Sequence, residues 1–224
     1  MHNCRECKFK SIAARCLTDN ELDSLDNDSV EVRFKKGDLI FKQDALSLNI
    51  TYLRTGLVKV HMKGPNSEKI MRIVKAPAYL GISTTFGDKV NHYSATALDD
   101  TTVCFLDANV FKSLTQKNKL FAYEIILDLC QNELADYHRC LNQSQKQIPG
   151  RIAETLLFFS QNIYNATSFN LPITRDEFGQ IVGTSRESIS RILSEFTDAK
   201  IIDTSAKEID IINQDMLEQI SKNG

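Results

Sequence analysis

The cysteines are the side chains of this sequence with the widest choice of chemistry. The chain has six of them, Cys4, Cys7, Cys16, Cys104, Cys130 and Cys140. The N-terminus is polar and has no apolar signal core, so we expect a cytoplasmic protein whose cysteines are reduced thiols or metal ligands rather than disulfides. The C-x-x-C spacing of Cys4 and Cys7 therefore predicts thiol chemistry or metal binding.

A second informative pattern lies in the last quarter of the chain. Thr174 and Glu177 have the spacing of a capping box, in which a hydroxyl and a carboxylate bond the amides at the start of a helix. Gly183 can supply the left-handed conformation that a tight turn between two helices requires. Thr184 or Ser185 can then cap a second helix. The pattern predicts a helix-turn-helix ending near Phe196.

The second helix is predicted to present a polar face to DNA. Glu187, Ser190 and Arg191 are three and four residues apart and share one surface. Arg can read guanine with two hydrogen bonds, and Glu can accept one from cytosine or orient the Arg, as expected of a recognition helix in a major groove. The predicted DNA-binding residues are Thr174, Arg175, Thr184, Ser185, Arg186, Glu187, Ser190 and Arg191. The residues predicted to face the core are Ile189, Ile192, Leu193 and Phe196.

Short segments of alternating apolar and polar residues before these helices predict β-strands. They are Val30–Phe34, Leu39–Phe41, Thr51–Arg54, Leu57–Met62, Lys69–Val74, Tyr93–Leu98 and Thr102–Leu106. Their regular spacing, with Gly and Pro between them, favours an antiparallel barrel, roll or sandwich. Thr18 and Glu21 predict a capped helix in front of the strands.

A long helix is predicted from about Leu120 to Ser144. Leu127, Cys130, Leu134, Tyr137, Leu141 and Ser144 recur at alternating spacings of three and four, as in the seam of a two-stranded coiled coil. The seam predicts a homodimer. The alternative is a helix packed on its own β domain, which Ile126 and Leu129 could serve.

The last part of the chain is predicted to be a winged module. The long helix is predicted to be interrupted at Pro149-Gly150 and followed by an amphipathic helix at Ile152–Ile163. A loop, a short strand at Leu171–Ile173 and, after the helix-turn-helix, a hairpin at Asp203–Ile212 are predicted to follow. We divide the chain into a sensor domain (1–108), a dimerisation helix region (109–147) and a DNA-binding domain (148–224).

Charge adds little to the DNA prediction. The formal net charge is −2, and from residue 146 onward there are eight Lys and Arg against eleven Asp and Glu. Placed side chains and helix N-termini must therefore supply the contacts to phosphate. No apolar run approaches the roughly 20 residues that cross a bilayer, so no membrane partner is expected.

Nearly the whole chain resembles the CRP/FNR superfamily of bacterial regulators. Phe34–Phe41 and Tyr52–Val60 resemble its sensor domain, and Thr184–Phe196 resembles the recognition helix of the fumarate and nitrate reductase regulators, whose E-x-x-S-R pattern falls on Glu187, Ser190 and Arg191. The resemblance implies an α+β protein with an N-terminal antiparallel β-roll like cyclic-nucleotide-binding jelly rolls, a long dimerisation helix and a C-terminal winged helix-turn-helix. It also implies a homodimer on a palindromic operator with half-sites similar to TTGAT, RNA polymerase as a partner, and a redox, gas or small-molecule signal.

The resemblance bears differently on two ligands. Leu80-Gly81-Ile82 and Tyr93-Ser94-Ala95 occupy the stretches that bind cyclic AMP in that branch of the family, but they lack its Glu and Arg, so cyclic AMP is not expected. The oxygen-sensing branch holds a [4Fe-4S] cluster on four cysteines. Here the corresponding ligands would be Cys4, Cys7, Cys16 and Cys104, although eight residues separate Cys7 from Cys16 where the family has fewer.

Several other interpretations remain open. The four cysteines can instead be ordinary thiols, with Cys104 a small buried hydrophobe. Cys130 and Cys140 are expected to be packing or surface residues, and His61 and His92 to be surface or hydrogen-bonded side chains rather than heme ligands. The alternative functions are a sensory or interaction module without DNA binding and a C-x-x-C thiol redox protein. No other catalytic motif is visible, so an enzyme is not expected.

Overall fold

The computed structural model describes residues 4–224, which fall into two compact units. One unit reaches to Leu134, and the other runs from Ala135 to Gly224. In the described residues, no helix is both long enough and apolar enough to span a bilayer.

The first unit contains two four-stranded antiparallel sheets. Its strands are β1 (Ser29–Phe34), β2 (Leu39–Phe41), β3 (Asn49–Thr55), β4 (Leu57–Lys63), β5 (Glu68–Lys75), β6 (Ala78–Leu80), β7 (Ser94–Ala97) and β8 (Thr101–Asp107). The sheet orders are β1-β8-β3-β6 and β2-β7-β4-β5. The predicted antiparallel roll is confirmed. Among these strands, β6 is the one that the sequence pattern does not predict.

The alternation along these strands separates two apolar cores. Leu53 and Val103 on one sheet pack with Val58 and Ala95 on the other, so this core lies between the sheets. Because successive side chains of a strand point to opposite faces, the neighbouring Cys104 belongs to a second core on the outer face of the first sheet.

Helices cover that outer face. The helices of the first unit are α1 (Ile12–Arg15), α2 (Asp19–Asn27), α3 (Ile82–Gly87), α4 (Ala108–Lys117) and the first part of α5 (Lys119–Gln145). Ala13, Leu22, Phe111 and Phe121 bring α1, α2, α4 and α5 into the second core. The predicted capping box at the start of α2 is confirmed, with the Thr18 amide donating to Glu21 at 2.8 Å.

The long helix α5 matches its predicted span and is only partly covered. Leu129 packs half-buried against the second core, whereas Ile126 is 54% exposed. The helix therefore packs on its own unit at its beginning. Leu134, Tyr137 and Leu141 of the predicted seam are exposed by 57%, 61% and 49%.

The second unit has the predicted winged arrangement with two corrections. Its elements after α5 are α6 (Ile148–Phe158), a π-helical segment (Phe159–Tyr164), β9 (Ser168–Asn170), α7 (Arg175–Val182), α8 (Arg186–Asp198), β10 (Ile202–Ser205), β11 (Glu208–Ile211) and α9 (Gln214–Asn223). The strand predicted at Leu171–Ile173 is wrong, because β9 lies just before it, where Phe169 pairs with Ile209 of the wing. The helix breaks before Pro149, which lies in the first turn of α6, where its missing N–H costs nothing.

Candidate nucleic-acid interface and cysteine pocket

The start and end of α7 follow from its capping residues. The Thr174 amide donates to Glu177 Oε2 at 2.7 Å, and the Glu177 amide donates to Thr174 Oγ1 at 3.2 Å, which completes the predicted capping box. Gly183 ends the helix with a φ of 75°. A side chain at this φ would be strained, so the left-handed glycine turn predicted here is confirmed.

Gly179 is a second essential glycine that sequence reasoning missed. A Cβ atom added to Gly179 would lie 2.6 Å from the carbonyl oxygen of Thr184. The Thr184 amide donates to the Gly179 carbonyl at 3.0 Å, so the turn folds back directly onto this residue. The spacing Gly179-x-x-x-Gly183 at the end of a capped helix is the signal that could have identified it.

The recognition helix α8 is anchored by its apolar face. Ser185 caps it by accepting from the Ser188 amide at 3.2 Å. The four residues predicted to face the core, Ile189, Ile192, Leu193 and Phe196, are all buried. The opposite face must therefore point away from the core.

The predicted base-reading residues lie on that opposite face. Glu187, Ser190 and Arg191 are exposed and occupy one side of α8. Arg191 Nη1 lies 2.6 Å from Glu195 Oε1, so Arg191 pairs with Glu195 rather than with Glu187. A hydrogen bond from its own backbone amide, followed by one from Ser185, lowers the pKa of Glu187, so its side chain is a carboxylate at neutral pH.

The other predicted contact residues surround the two helix starts. Thr174, Ser185 and Arg186 are exposed, and Thr184 is half-buried. Arg186 Nη1 lies 3.8 Å from Asp176 Oδ2. Exposed ion pairs of this kind contribute roughly 0 to 1 kcal/mol, so a phosphate could replace the carboxylate at small cost.

Arg175 differs from these residues because its guanidinium is half-buried. Burial lowers the pKa of Arg175, and its Nη1 atom is buried without a hydrogen-bond partner in the described residues. A buried donor without an acceptor is costly. Arg175 therefore has one buried guanidinium nitrogen whose hydrogen-bonding capacity is unused, at the first residue of α7.

Three of the four predicted cluster ligands line one pocket in the first unit. Cys4, Cys7 and Cys104 lie around it, with Tyr52 and Tyr79. Cys16 does not line the pocket. Cys16 is the C-cap residue of α1, and its thiol donates to the Ile12 carbonyl at 3.6 Å.

The pocket holds its deepest cysteines as thiols. Burial, with a smaller contribution from Asp26, raises the pKa of Cys4 to about 12, and burial and Glu31 raise that of Cys104 to about 12. Within residues 4–224, no three His, Cys, Asp or Glu side chains are close enough to hold a single metal ion. A cluster is wider than one ion, so its ligands lie farther apart around a pocket.

The two stretches that correspond to the nucleotide site of the family form hydrogen bonds within the protein. The Gly81 amide donates to the Tyr93 hydroxyl at 2.8 Å, and Ser94 Oγ accepts from the Gln43 amide at 2.9 Å. These groups are thus engaged by other residues of the roll.

The remaining candidate ligands follow their expected structural roles. His61 is buried and bonds Glu68 and Thr96 at 2.6 and 2.8 Å, and His92 bonds Asp88 at 2.7 Å. Cys130 and Cys140 are exposed on α5. The expectation of hydrogen-bonded histidines and surface cysteines is confirmed.

Comparison with known sequences supports the two-part architecture. A Crp-like helix-turn-helix domain model matches residues 150–220, and a cyclic nucleotide-binding domain model matches residues 31–118. The fumarate and nitrate reduction regulatory protein of Vibrio cholerae is 27% identical, covering 98% of this chain and 90% of its own length. The transcriptional activator protein Anr of Pseudomonas protegens is 25% identical, covering 95% and 91%.

Solved structures have the same fold. FixK2 from Bradyrhizobium japonicum has a TM-score of 0.78 at 19% identity, covering 86% of this chain and 96% of its own. A regulator of the CRP/FNR family from Eubacterium rectale has a TM-score of 0.77 at 16% identity, covering 95% and 99%. The relatives with the most similar sequences named here are regulators of the fumarate and nitrate reductase type. Given the capped helix-turn-helix, the β-roll and these matches, the chain belongs to the CRP/FNR superfamily and is a transcription regulator with a DNA-binding and a sensory domain.

Proposed function

We propose that this regulator binds a palindromic operator as a homodimer and that Glu187, Ser190 and Arg191 read its bases. The observation that carries the proposal is the exposure of these three side chains on one side of α8, while the other side is anchored in the core. An α-helix fits the major groove of B-DNA, where Arg and Glu distinguish base pairs by their donor and acceptor patterns.

The same proposal assigns phosphate contacts to the residues around the two helix starts. Helix N-termini present free amides and a partial positive charge, which favours anions. Thr174, Thr184, Ser185 and Arg186 lie there. Arg175 is assigned to the same group by its position as the first residue of α7.

The exposed part of α5 supports the homodimer. Leu134, Tyr137 and Leu141 expose large apolar side chains along one helical stripe. Burying apolar surface contributes roughly 25 cal/mol per Å², so two such stripes packed together would stabilise a dimer. We accordingly assign residues 1–108 to the sensor domain, 109–147 to the dimerisation region and 148–224 to the DNA-binding domain.

Mutation of Arg191 tests the reading face. Removing a bidentate base contact costs about 1 to 3 kcal/mol, roughly a 5- to 150-fold loss of affinity per half-site. We expect Arg191→Ala to show this loss by fluorescence anisotropy on a palindromic duplex with TTGAT half-sites, and to bind a scrambled duplex as the wild type does.

Glu195→Ala is the matched control, because it removes the partner of Arg191 and leaves the guanidinium in place. It should retain specific binding. Equal affinities of wild type and Arg191→Ala for the operator would refute the assignment of the reading face.

For the signal, we propose a [4Fe-4S] cluster in the cysteine pocket. Cys4, Cys7 and Cys104 support this role because they line one pocket whose other residues are mostly apolar, with Lys10 also at its wall, and thiolates are the usual ligands of such clusters. When bound, the cluster would supply a redox-active centre. The protein would supply the thiolates and the apolar surroundings that limit access of water.

The cluster is tested by anaerobic purification followed by an absorbance spectrum and iron and sulfide assays. We expect a coloured protein that contains both elements, and loss of colour in Cys104→Ala. Iron-free, colourless wild-type protein that still binds its operator would rule the cluster out while leaving the regulator assignment intact.

By family resemblance, we also propose RNA polymerase as a partner and the cytoplasm as the site of action.

A further inference from the structure

The end of α5 is joined to the helix-turn-helix by side-chain hydrogen bonds within the second unit. α5 ends at Gln145 and α6 begins at Ile148, so a short connection separates the two helices. Gln143, in the last turn of α5, donates from Nε2 to the Ile181 carbonyl at 2.9 Å. Ile181 lies at the end of α7, the first helix of the helix-turn-helix. The long helix is therefore bonded directly to the module that carries the reading face.

Arg151 forms a second link at the same place. Its Nη1 atom donates to the Gln143 carbonyl at 3.0 Å, and it lies 3.7 Å from the position that a Cβ atom on Gly183 would occupy. The guanidinium thus lies against the C-terminal ends of both α5 and α7. The last carbonyls of a helix have no partner within it and carry a partial negative charge, so a cation is favourable at both ends. Gln143 and Arg151 form a junction between the two helices.

Further polar contacts fix α6 to the same end of α5. Asn142 Nδ2 donates to Glu154 Oε1 at 2.6 Å, and Lys146 Nζ lies 3.1 Å from Glu154 Oε2. The Lys146 side chain is mostly buried, so solvent and salt screen this ion pair less than one at the open surface. α5, α6 and α7 are held together in this way, and a rotation of α7 about the end of α5 would break the bond from Gln143.

The position of α7 relative to α5 determines which operators a dimer can read. The seam residues Tyr137 and Leu141 lie in the same unit as the junction, and the turn at Gly183 joins α8 to α7. In a homodimer packed along that seam, the junction would therefore set the distance and angle between the two recognition helices. Helix-turn-helix dimers read half-sites whose centres are one helical turn apart, roughly 10 base pairs, or multiples of it.

We propose that Gln143 and Arg151 hold the helix-turn-helix in place on the end of α5 and thereby set the spacing between the two half-sites of the operator. The inference rests on the proposed dimer and reading face. Neither side chain belongs to the reading face, so both are positioning residues. Without them, α7 and α8 would turn about the end of α5 and reach half-sites at other spacings with less strain. Discrimination between spacings should then fall, while α8 reads each half-site as before.

A series of duplexes tests the role of the junction. Each carries two inverted TTGAT half-sites separated by a spacer of about two to eight base pairs, which brackets one helical turn between their centres. Fluorescence anisotropy at one salt concentration gives the affinities, and the wild type should have one preferred spacer. Gln143→Met and Arg151→Met remove one donor each. Each should lower the ratio of affinities for the preferred and the neighbouring spacers by a factor of roughly 2 to 12, the value of one hydrogen bond.

A duplex with one TTGAT half-site and one scrambled half-site separates positioning from folding. Gln143→Met and Arg151→Met should bind it as the wild type does, because α8 is unchanged. Arg151→Lys keeps a cation and a donor, so it should retain most of the spacing preference. Gln161→Ala, which replaces an exposed glutamine of the same unit, is the matched control and should retain all of it. Circular dichroism shows whether each variant folds, and Gln143→Met still tests the junction if Arg151→Met does not.

Three results would overturn the inference while leaving the reading face intact. They are a wild type without a preferred spacer, a wild-type spacing preference in Gln143→Met and Arg151→Met, and an equal loss of affinity on every duplex, including the one with a single half-site. The last result would mean that these residues serve the folding of the helix-turn-helix instead. If the wild type binds no TTGAT duplex more tightly than scrambled DNA, the proposed reading of that operator fails and the inference fails with it.

Discussion

At the residue scale, the environment of each cysteine sets its reactivity. The thiolate is the reactive form, so a raised pKa slows alkylation at any pH below it. Cys4 and Cys104 are buried with their pKa values raised to about 12, whereas Cys130 and Cys140 are exposed on α5. Four chemically identical side chains therefore fall into two classes.

In iron-free protein, we predict that iodoacetamide at pH 8 modifies Cys140 before Cys4 and Cys104; Cys130 is left out of the comparison because it lies in the predicted dimer seam. The order can be read by peptide mass spectrometry over time. The rate at Cys104 should continue to rise with pH toward about 12, where its thiolate becomes abundant. Modification of Cys140, Cys4 and Cys104 at one rate would contradict the buried pocket, and denatured protein provides the reference in which the rates should converge.

The same pKa shifts affect stability at alkaline pH. Both thiols bind their protons more tightly in the folded state than an exposed cysteine does, whose pKa is 9.0. Their contribution to the free energy of unfolding is therefore complete below about pH 9 and is lost as the pH rises toward 12.

At the scale of elements, the geometry of the helix-turn-helix depends on close approach of its two helices. Gly183 provides the left-handed turn, and Gly179 leaves room for the Thr184 carbonyl. The recognition face of α8 is oriented by this turn, although neither glycine is a predicted DNA contact.

We predict that Gly179→Ala weakens operator binding, because its Cβ would lie 2.6 Å from backbone and the turn would have to open. Binding is measured by anisotropy and the free energy of unfolding by urea titration. Gly87→Ala is the matched control, since a Cβ there meets nothing within 4 Å. The prediction is wrong if both alanine variants bind the operator as tightly as the wild type.

At the scale of the whole molecule, DNA binding and assembly are linked. With a net charge of −2, the chain has no general attraction for DNA, so affinity must come from placed contacts that a dimer doubles. The exposed stripe on α5 is the surface available for that assembly.

We predict that Leu134→Glu converts the dimer to a monomer and abolishes specific operator binding, because a charge at the seam would have to be buried or would repel its counterpart. Sedimentation velocity measures the mass of the assembly, and fluorescence anisotropy measures its affinity for the operator. Leu46→Glu, which replaces another exposed leucine in the β-roll, should leave both unchanged. A dimeric Leu134→Glu protein would exclude this stripe as the interface.

The sequence by itself determined the features that depend on neighbours in the chain. The capping boxes at Thr18 and Thr174, the left-handed Gly183 and the strand alternation are local, because each arises from backbone geometry within a few residues. The polar face of α8 follows from helical periodicity in the same way.

Only the tertiary structure decided which distant side chains meet. The spacing of the cysteines marks Cys16 as a departure from the family, but it does not show that Cys4, Cys7 and Cys104 line one pocket, and it does not bring Asp26 to Cys4. The packing of α1 and α2 on the sheet decides both, because burying their apolar residues sets their position and carries the polar side chains with them.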